Sequence, residues 1–137
     1  MKLAKDQIAR QFSRAATTYD AAAQLQNEMA EILIDAIPNH SQGTLVDLGC
    51  GTGWPLQQLV RSCKYEMTAI DLAPGMIEIA RQKTPQINFI CCDLESTPLP
   101  DDFANVVFSN AAIQWCNTAK ALTEISRIAK PKANLLL

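Results

Sequence analysis

A chain of 137 residues has room for one hydrophobic core and none for a second domain, and 48% hydrophobic against 19% charged side chains excludes a disordered polymer. Twelve basic and fourteen acidic side chains give a formal charge of -2, so there is no overall positive field to hold a phosphate backbone, and nucleic acid is not an expected partner. The opening MKLAKDQIARQF has Lys2, Lys5, Asp6 and Arg10 but no apolar run, unlike a secretory signal, so a cytoplasmic location is expected. The longest uncharged stretch, 103 to 119, is interrupted by Asn105, Ser109, Asn110, Gln114 and Asn117 and is too polar to span a membrane. Five cysteines (Cys50, Cys63, Cys91, Cys92, Cys116) without C-x-x-C spacing and a single histidine, His40, suggest neither a disulfide framework nor a metal site.

In chain order, residues 1 to 19 read as a short helix with Lys2, Lys5, Arg10 and Arg14 against Asp6. A second helix follows from the rhythm of Leu25, Met29, Ile32, Leu33, Ala36 and Ile37, with Asp20 as its N-cap. Pro38, Asn39, Ser41 and Gly43 then turn the chain, so 1–40 is expected to be a helical arm and 44–137 an α/β core within a single domain. Five strands are predicted, Thr44 to Leu48, Glu66 to Leu72, Ile87 to Asp93, Asn105 to Ser109 and Asn134 to Leu137, all apolar enough to be covered on both faces. Helices from Pro55 to Cys63 and Pro74 to Lys83 alternate with them, each opened by a proline. A third shows Leu122, Ile125 and Ile128 on one face and is ended by Pro131. This alternation predicts a doubly wound parallel sheet.

VDLGCGTGW, residues 46 to 54, follows the first strand. Gly49, Gly51 and Gly53 would let a ligand lie against bare backbone, in the position expected for a site at the carboxyl end of a strand. A dinucleotide fingerprint would place its third glycine at 54, which is Trp54, and Pro55 removes an N–H from the helix start that would hold pyrophosphate; NAD is disfavoured. Acidic residues instead close three successive strands: Asp47, Asp71 (22 positions after Gly49) and Asp93. S-adenosylmethionine fits them, having no phosphate but a sulfonium, an ammonium, a ribose diol for Asp71 and an adenine amino group for Asp93, with the Leu94 amide facing a ring nitrogen. The purely structural alternatives are that Asp47 orders its loop, Asp71 caps the helix after Pro74 and Asp93 starts a turn. Met76 and Ile77 are candidates for packing on the adenosyl group, with plain core the alternative for Ile77.

Through VDLGCGTG, AIDLAPGMIEIA, CCDLESTPLP and FANVVFSNAAIQW the sequence resembles the class I S-adenosylmethionine-dependent methyltransferases, which have a Rossmann-like α/β sheet. FSRAATTYDAAAQLQNEMAEILI at 12 to 34 with SNAAIQWC at 109 to 116 is similar, more narrowly, to the malonyl-acyl-carrier-protein O-methyltransferases of biotin synthesis; trans-aconitate methyltransferases share the Asn and Trp region but not the arm. The resemblance implies S-adenosyl-L-methionine as cofactor, S-adenosyl-L-homocysteine as product, and methyl transfer to the free carboxyl of a malonyl thioester on acyl-carrier protein. It implies cofactor contacts from Asp47, Gly49, Cys50, Gly51, Gly53, Asp71, Leu72, Met76, Asp93, Leu94 and Asn110. The same resemblance implies that Phe12, Tyr19, Asn110, Gln114 and Trp115 would lie near cofactor or substrate, with Asn110 facing the methionine part through its carbonyl and Tyr19 helping to cover it. For Phe12 and Trp115 simple packing is the competing role. Arg10 or Arg14 would meet the substrate carboxylate or the acidic carrier protein, the alternative being solvated charge.

A carboxylate substrate is already deprotonated at neutral pH, so no general base is expected and His40 reads as a surface residue. The family continues past the fifth strand through a substrate-covering insertion and two more strands. The sequence therefore reads as a truncated form with its C-terminal strands missing, whose apolar fifth strand leaves a sheet edge through which two copies can pair. A cofactor-binding remnant without turnover is the alternative to an active carboxyl methyltransferase.

Overall fold

The computed structural model describes residues 2–38 and 42–137, without the side chains of residues 2 and 3; His40, Asn39 and Ser41 lie outside the described residues. Three helices come first, α1 (Lys2–Ala15), α2 (Tyr19–Ala22) and α3 (Gln24–Asp35). Then strands and helices alternate: β1 (Thr44–Leu48), α4 (Trp54–Ser62), β2 (Glu66–Asp71), α5 (Pro74–Lys83), β3 (Asn88–Cys91), β4 (Ala104–Phe108), a short 3-10 turn (Ile113–Trp115), α6 (Thr118–Ile128) and β5 (Ala129–Leu136). The sheet order is β3-β2-β1-β4-β5 and every pairing is parallel. The order reverses between β1 and β4, and a crevice opens beyond the strand ends at such a point.

Period-two alternation of the strands separates two cores. Leu45, Met67, Ala69, Val106 and Phe108 face α3, α4 and α5 through Ala30, Leu56, Leu59, Ile77 and Ala80. Val46, Leu48, Ile70 and Val107 face α6 through Ala121, Ile125 and Ile128. The doubly wound parallel sheet of five strands is therefore as expected from the sequence, but the edge strands β3 and β5 are partly exposed rather than covered on both faces.

Several details differ. Asp20 does not cap α3, whose N-cap is Ala23 and has no side-chain bond; it lies in α2 and binds the Thr52 hydroxyl and the Lys83 ammonium. The stripe read on α3 is only half a core face, since Leu25, Met29 and Ile32 are 64%, 43% and 71% exposed while Ala30 is fully buried. The helix carries apolar residues on two faces, and the one bearing the small Ala30 packs against the body. On α6 the same rotation exposes Leu122 and buries Ala121 and Glu124. Finally, α6 ends at Ile128, and β5 begins at Ala129 rather than Asn134, with Pro131 inside the strand. Ala104 pairs with Ala129 but Val106 with Asn134, so the intervening β5 residues leave the register, with Lys132 at φ +65°. A proline without an N–H is accommodated at such an irregularity.

Glu124 is the one buried acid of α6, and its side chain accepts hydrogen bonds from the Thr97 amide and hydroxyl and from Arg127. The Arg127 guanidinium is the main reason that the carboxyl drops to about 2, with the Thr97 bonds adding to it. Its contribution is therefore complete above the ordinary glutamate range and is lost as the pH falls from about 4.5 toward 2. Glu124→Ala is expected to lower stability at neutral pH by about 2–4 kcal/mol. The variant's melting temperature should also fall less steeply than the wild type's over that acidic interval, which thermal melts at stepped pH would show.

Candidate functional site

The crevice at the switch point is a cavity of about 180 Å³ with a smaller lobe of about 40 Å³. The two share Tyr19, Gln26, Gly49, Gly51 and Asn110 on their walls. The floor comes from the ends of β1, β2, β3 and β4, and the roof from α1, α2 and the 3-10 turn.

The β1 loop turns sharply because Gly49, Gly51 and Gly53 all have positive φ. Its Gly49 and Cys50 amides donate to the Ile70 carbonyl, at 2.7 and 2.9 Å, which fastens the loop to the end of β2. Asp71, the last residue of β2, fixes the remaining geometry: one carboxylate oxygen accepts from the Gly51 amide at 2.9 Å and the other from the Ala73 amide at 2.8 Å. It thus ties the glycine loop to the residue before α5 while still lining the larger lobe; it does not cap that helix, whose N-cap is Ala73 and has no side-chain bond. A carboxylate has about four lone-pair positions, so acceptor capacity remains beyond these bonds. Burial raises the Asp71 carboxyl above its ordinary range, opposed by the Ala73, Gly51 and Leu72 amides.

Asp93 follows β3 by two residues. One oxygen accepts from the Glu95 amide at 3.0 Å, the turn that was the structural alternative for it, and the other meets the Lys5 ammonium from α1. Lys5 also reaches Glu95 at 2.6 Å. Although burial alone would lower it, the two acids together hold the Lys5 ammonium above its ordinary value. Leu94 and Met76 line the larger lobe and Ile77 is core.

Asp47 is 1% exposed, and neither of its carboxylate oxygens has a hydrogen-bond partner. Burial first, and the neighbouring Asp71 charge second, push its carboxyl well above the usual carboxylate range. Beside it on the smaller lobe, Asn110 donates to the Gln26 carbonyl at 2.8 Å, leaving its own buried amide oxygen without a donor. Among the described residues these three atoms make up all the buried side-chain acceptors and donors left unpaired. Buried polar atoms are rarely left so. Acceptors grouped in this way suit a group that brings several N–H donors, and a carboxylate among them suits a cationic one.

The roof is aromatic. The Phe12 ring stands edge-on to Trp115 at 5.5 Å and to Tyr19 at 6.4 Å, and all three line the larger lobe. Gln114 lines it too, its amide donating to the Ala111 carbonyl at 3.1 Å. Ala111 itself adopts φ +57°, rare for a residue with a side chain.

Of the residues named from the sequence, Gly49, Gly51, Asp71, Leu72, Met76, Asp93, Leu94, Asn110, Tyr19, Gln114, Trp115 and Phe12 meet at the larger lobe, and Asp47 and Cys50 at the smaller. Gly53 meets neither: it begins α4, and an added Cβ would sit 3.0 Å from the Ala80 Cβ, so its bareness serves the packing of α4 on α5. Cys50 reaches the smaller lobe, but its thiol is buried in the core and bonds the Gly51 carbonyl. Arg10 and Arg14 are exposed and line neither lobe. Lys5, Ile8, Ala9 and Gln26 are wall residues that the sequence did not single out. The helical period of α1 would place Lys5, Ile8, Ala9 and Phe12 on one face, but nothing in the sequence tells which face the crevice meets.

Comparison with known proteins follows the same lines. Residues 46–137 match the family model for a methyltransferase domain. The chain is 40% identical over 133 residues to a malonyl-[acyl-carrier protein] O-methyltransferase of Serratia marcescens, covering 96% of this chain and 52% of that protein. It is equally identical to the Yersinia pestis protein of that name, covering 96% and 49%. The chain thus spans about half the length of these curated relatives. Among solved structures, a protein of Methanococcus maripaludis assigned as an S-adenosyl-L-methionine-dependent methyltransferase superposes with a TM-score of 0.76 at 26% identity, covering 86% of this chain and 59% of the other. Among the described residues no helix is long and apolar enough to cross a membrane. With a 3-2-1-4-5 parallel sheet, a glycine loop pinned by the acid that ends β2, and a match over two thirds of its residues, the chain belongs to the methyltransferase domain family.

Proposed function

We propose that this chain binds S-adenosyl-L-methionine across the two lobes and directs its methyl group to the free carboxyl of a malonyl thioester carried on acyl-carrier protein, a step toward the pimeloyl chain of biotin. The three unpaired acceptors of Asp47 and Asn110 carry the reading: the amino-acid end of this cofactor has an ammonium, a cationic donor group of the kind these acceptors suit. Asp71 would take the ribose hydroxyls on its remaining acceptor positions. Asp93 and the Leu94 amide would face the adenine edge, with Met76 against the ring, while Gly49 and Gly51 leave the backbone open to the ligand. Gly53 and the Cys50 thiol support the loop from behind.

The cofactor supplies an electrophilic methyl on a sulfonium. The protein's part is orientation and exclusion of water, since a carboxylate nucleophile needs no base, and alignment of reacting atoms can supply roughly 7–11 kcal/mol. Tyr19, Phe12 and Trp115 close the roof, and Asn110 and Gln114 face the approach from the end of β4. The chain divides for this purpose into an arm, 1–40, that covers the site and a core, 44–137, that holds the cofactor. Arg10 and Arg14 lie one turn apart on α1, and both are exposed, so together they offer a positive spot to an acidic carrier protein.

Titration calorimetry with S-adenosyl-L-methionine, then transfer of a labelled methyl to malonyl-acyl-carrier protein and to trans-aconitate, tests the proposal. Binding with transfer to the malonyl substrate supports it. Binding without transfer to either would leave a cofactor-binding module, and absence of binding would overturn the reading. Arg10→Ala with Arg14→Ala is expected to raise the KM for malonyl-acyl-carrier protein several-fold, most at low salt, with cofactor affinity unchanged.

A further inference from the structure

The roof of the cavity is attached to the body unlike the rest of the fold. Ala16, Ala73 and Met76, with Phe12, Tyr19 and Ile79 against them, form a small apolar cluster of their own, separate from the two cores on the sheet. In the middle, the Gly75 amide donates to the Ser13 hydroxyl at 3.1 Å; a Cβ at Gly75 would lie 2.8 Å from the Ser13 Cα, so α1 rests directly on the bare start of α5. The strongest fastening at its outer end is ionic. Lys5 bridges Asp93 and Glu95, and the Glu95 side chain is only 5% exposed against 22% for Lys5. No other cationic side chain lines the cavity among the described residues.

An element held by few apolar contacts and a charged clasp opens more readily than the core beneath it. Lys5 sits where α1 crosses the end of β3, on the acid assigned above to the adenine edge. Parting the clasp would widen the way between roof and floor at that end. We propose that Lys5 is a positioning residue that latches α1 over the adenosyl end of the cavity, its ion pairs to Asp93 and Glu95 setting how often the site opens. The role of the latch in cofactor traffic rests on the cavity being the S-adenosylmethionine site, but the latch itself is a property of the ligand-free chain.

The test uses Lys5→Met and Glu95→Gln in the full chain. Glu95→Gln keeps the oxygen that accepts from the Asn117 amide and leaves the sequence of α1 untouched, so an effect on α1 reports the clasp rather than helix propensity. In the ligand-free protein, both variants are expected to speed hydrogen exchange of the α1 amides by about threefold or more, leaving α5 unchanged, as loss of a partly exposed ion pair implies. Raising salt should speed α1 exchange in the wild type but not in Lys5→Met, and Lys5→Arg should restore the slower rate.

With S-adenosyl-L-homocysteine and Trp115 fluorescence read in a Trp54→Phe background in a stopped-flow instrument, both variants should bind and release faster, release gaining the larger factor. Wild-type entry is limited by the open fraction, whereas a merely destabilised fold would not bind faster. Exchange of α1 within twofold of wild type in both variants overturns the latch. If the ligand fails to bind either wild type or variant, the cofactor reading falls and the exchange result alone decides the latch.

Discussion

Replacing Asp71 by alanine is expected to weaken binding of S-adenosyl-L-homocysteine by about 100-fold or more. Two ribose hydroxyls donating to a carboxylate are each worth about 1.5–3 kcal/mol, and every 1.4 kcal/mol is tenfold in affinity. The same carboxylate receives the Gly51 and Ala73 amides, so part of the loss would come from a loosened glycine loop. Asparagine is no gentler choice: its NH2 would face one of those two N–H donors whichever way it turned. Calorimetry on the folded variant, with thermal melting alongside, separates the two contributions. A dissociation constant within threefold of wild type would remove Asp71 from the ligand site and leave it only the role of a loop tie.

Gly49→Ala is expected to be among the most damaging single-methyl changes in the chain. At φ +79° its Cβ would lie 2.2 Å from the Ala112 Cβ, in the loop that follows β4. The left-handed backbone costs about 1–2 kcal/mol for a residue with a side chain, and the forced contact adds about 1–3 kcal/mol. A melting temperature lower by roughly 10 °C follows for a chain of this size. Gly51→Ala isolates the first contribution, because a Cβ there meets nothing within 4 Å at a similarly left-handed φ of +54°. Ala112→Gly should recover much of the Gly49→Ala loss. If Gly49→Ala and Gly51→Ala proved equally mild, the close approach of the β1 and β4 loops would not be what makes Gly49 necessary.

That approach also shows where sequence reading stops. Glycines after an apolar strand announce a backbone turn, and Asp71 and Asp93 announce the ends of the next two strands, because these signals are local. The partner of Gly49 is an alanine 63 positions away, and nothing about Ala112 in isolation marks it. Lys5 is a similar case. In sequence it belongs to a modest excess of positive charge, but in the fold it bridges two acids some ninety residues downstream. Asp20 reads as a helix cap since caps are short-range, yet its partners, Thr52 and Lys83, come from the glycine loop and α5. On α3 the apolar rhythm was legible but not its phase: the face that packs is chosen by the small Ala30, and Leu25 and Ile32 are left outside.

By itself the sequence determined the alternation of strands and helices, the parallel sheet that such alternation requires, the turn at Gly49 to Gly53 and the acids at the strand ends. Each of these follows from periodicity, backbone stereochemistry and spacing within about twenty residues. Only the tertiary structure decided which acceptors were left without donors, which cation lies over the cavity, and that Gly53 lies against Ala80 of α5. Burial and charge pairing depend on what distant segments bring to the same point, and that is set by the order 3-2-1-4-5 and the docking of α1.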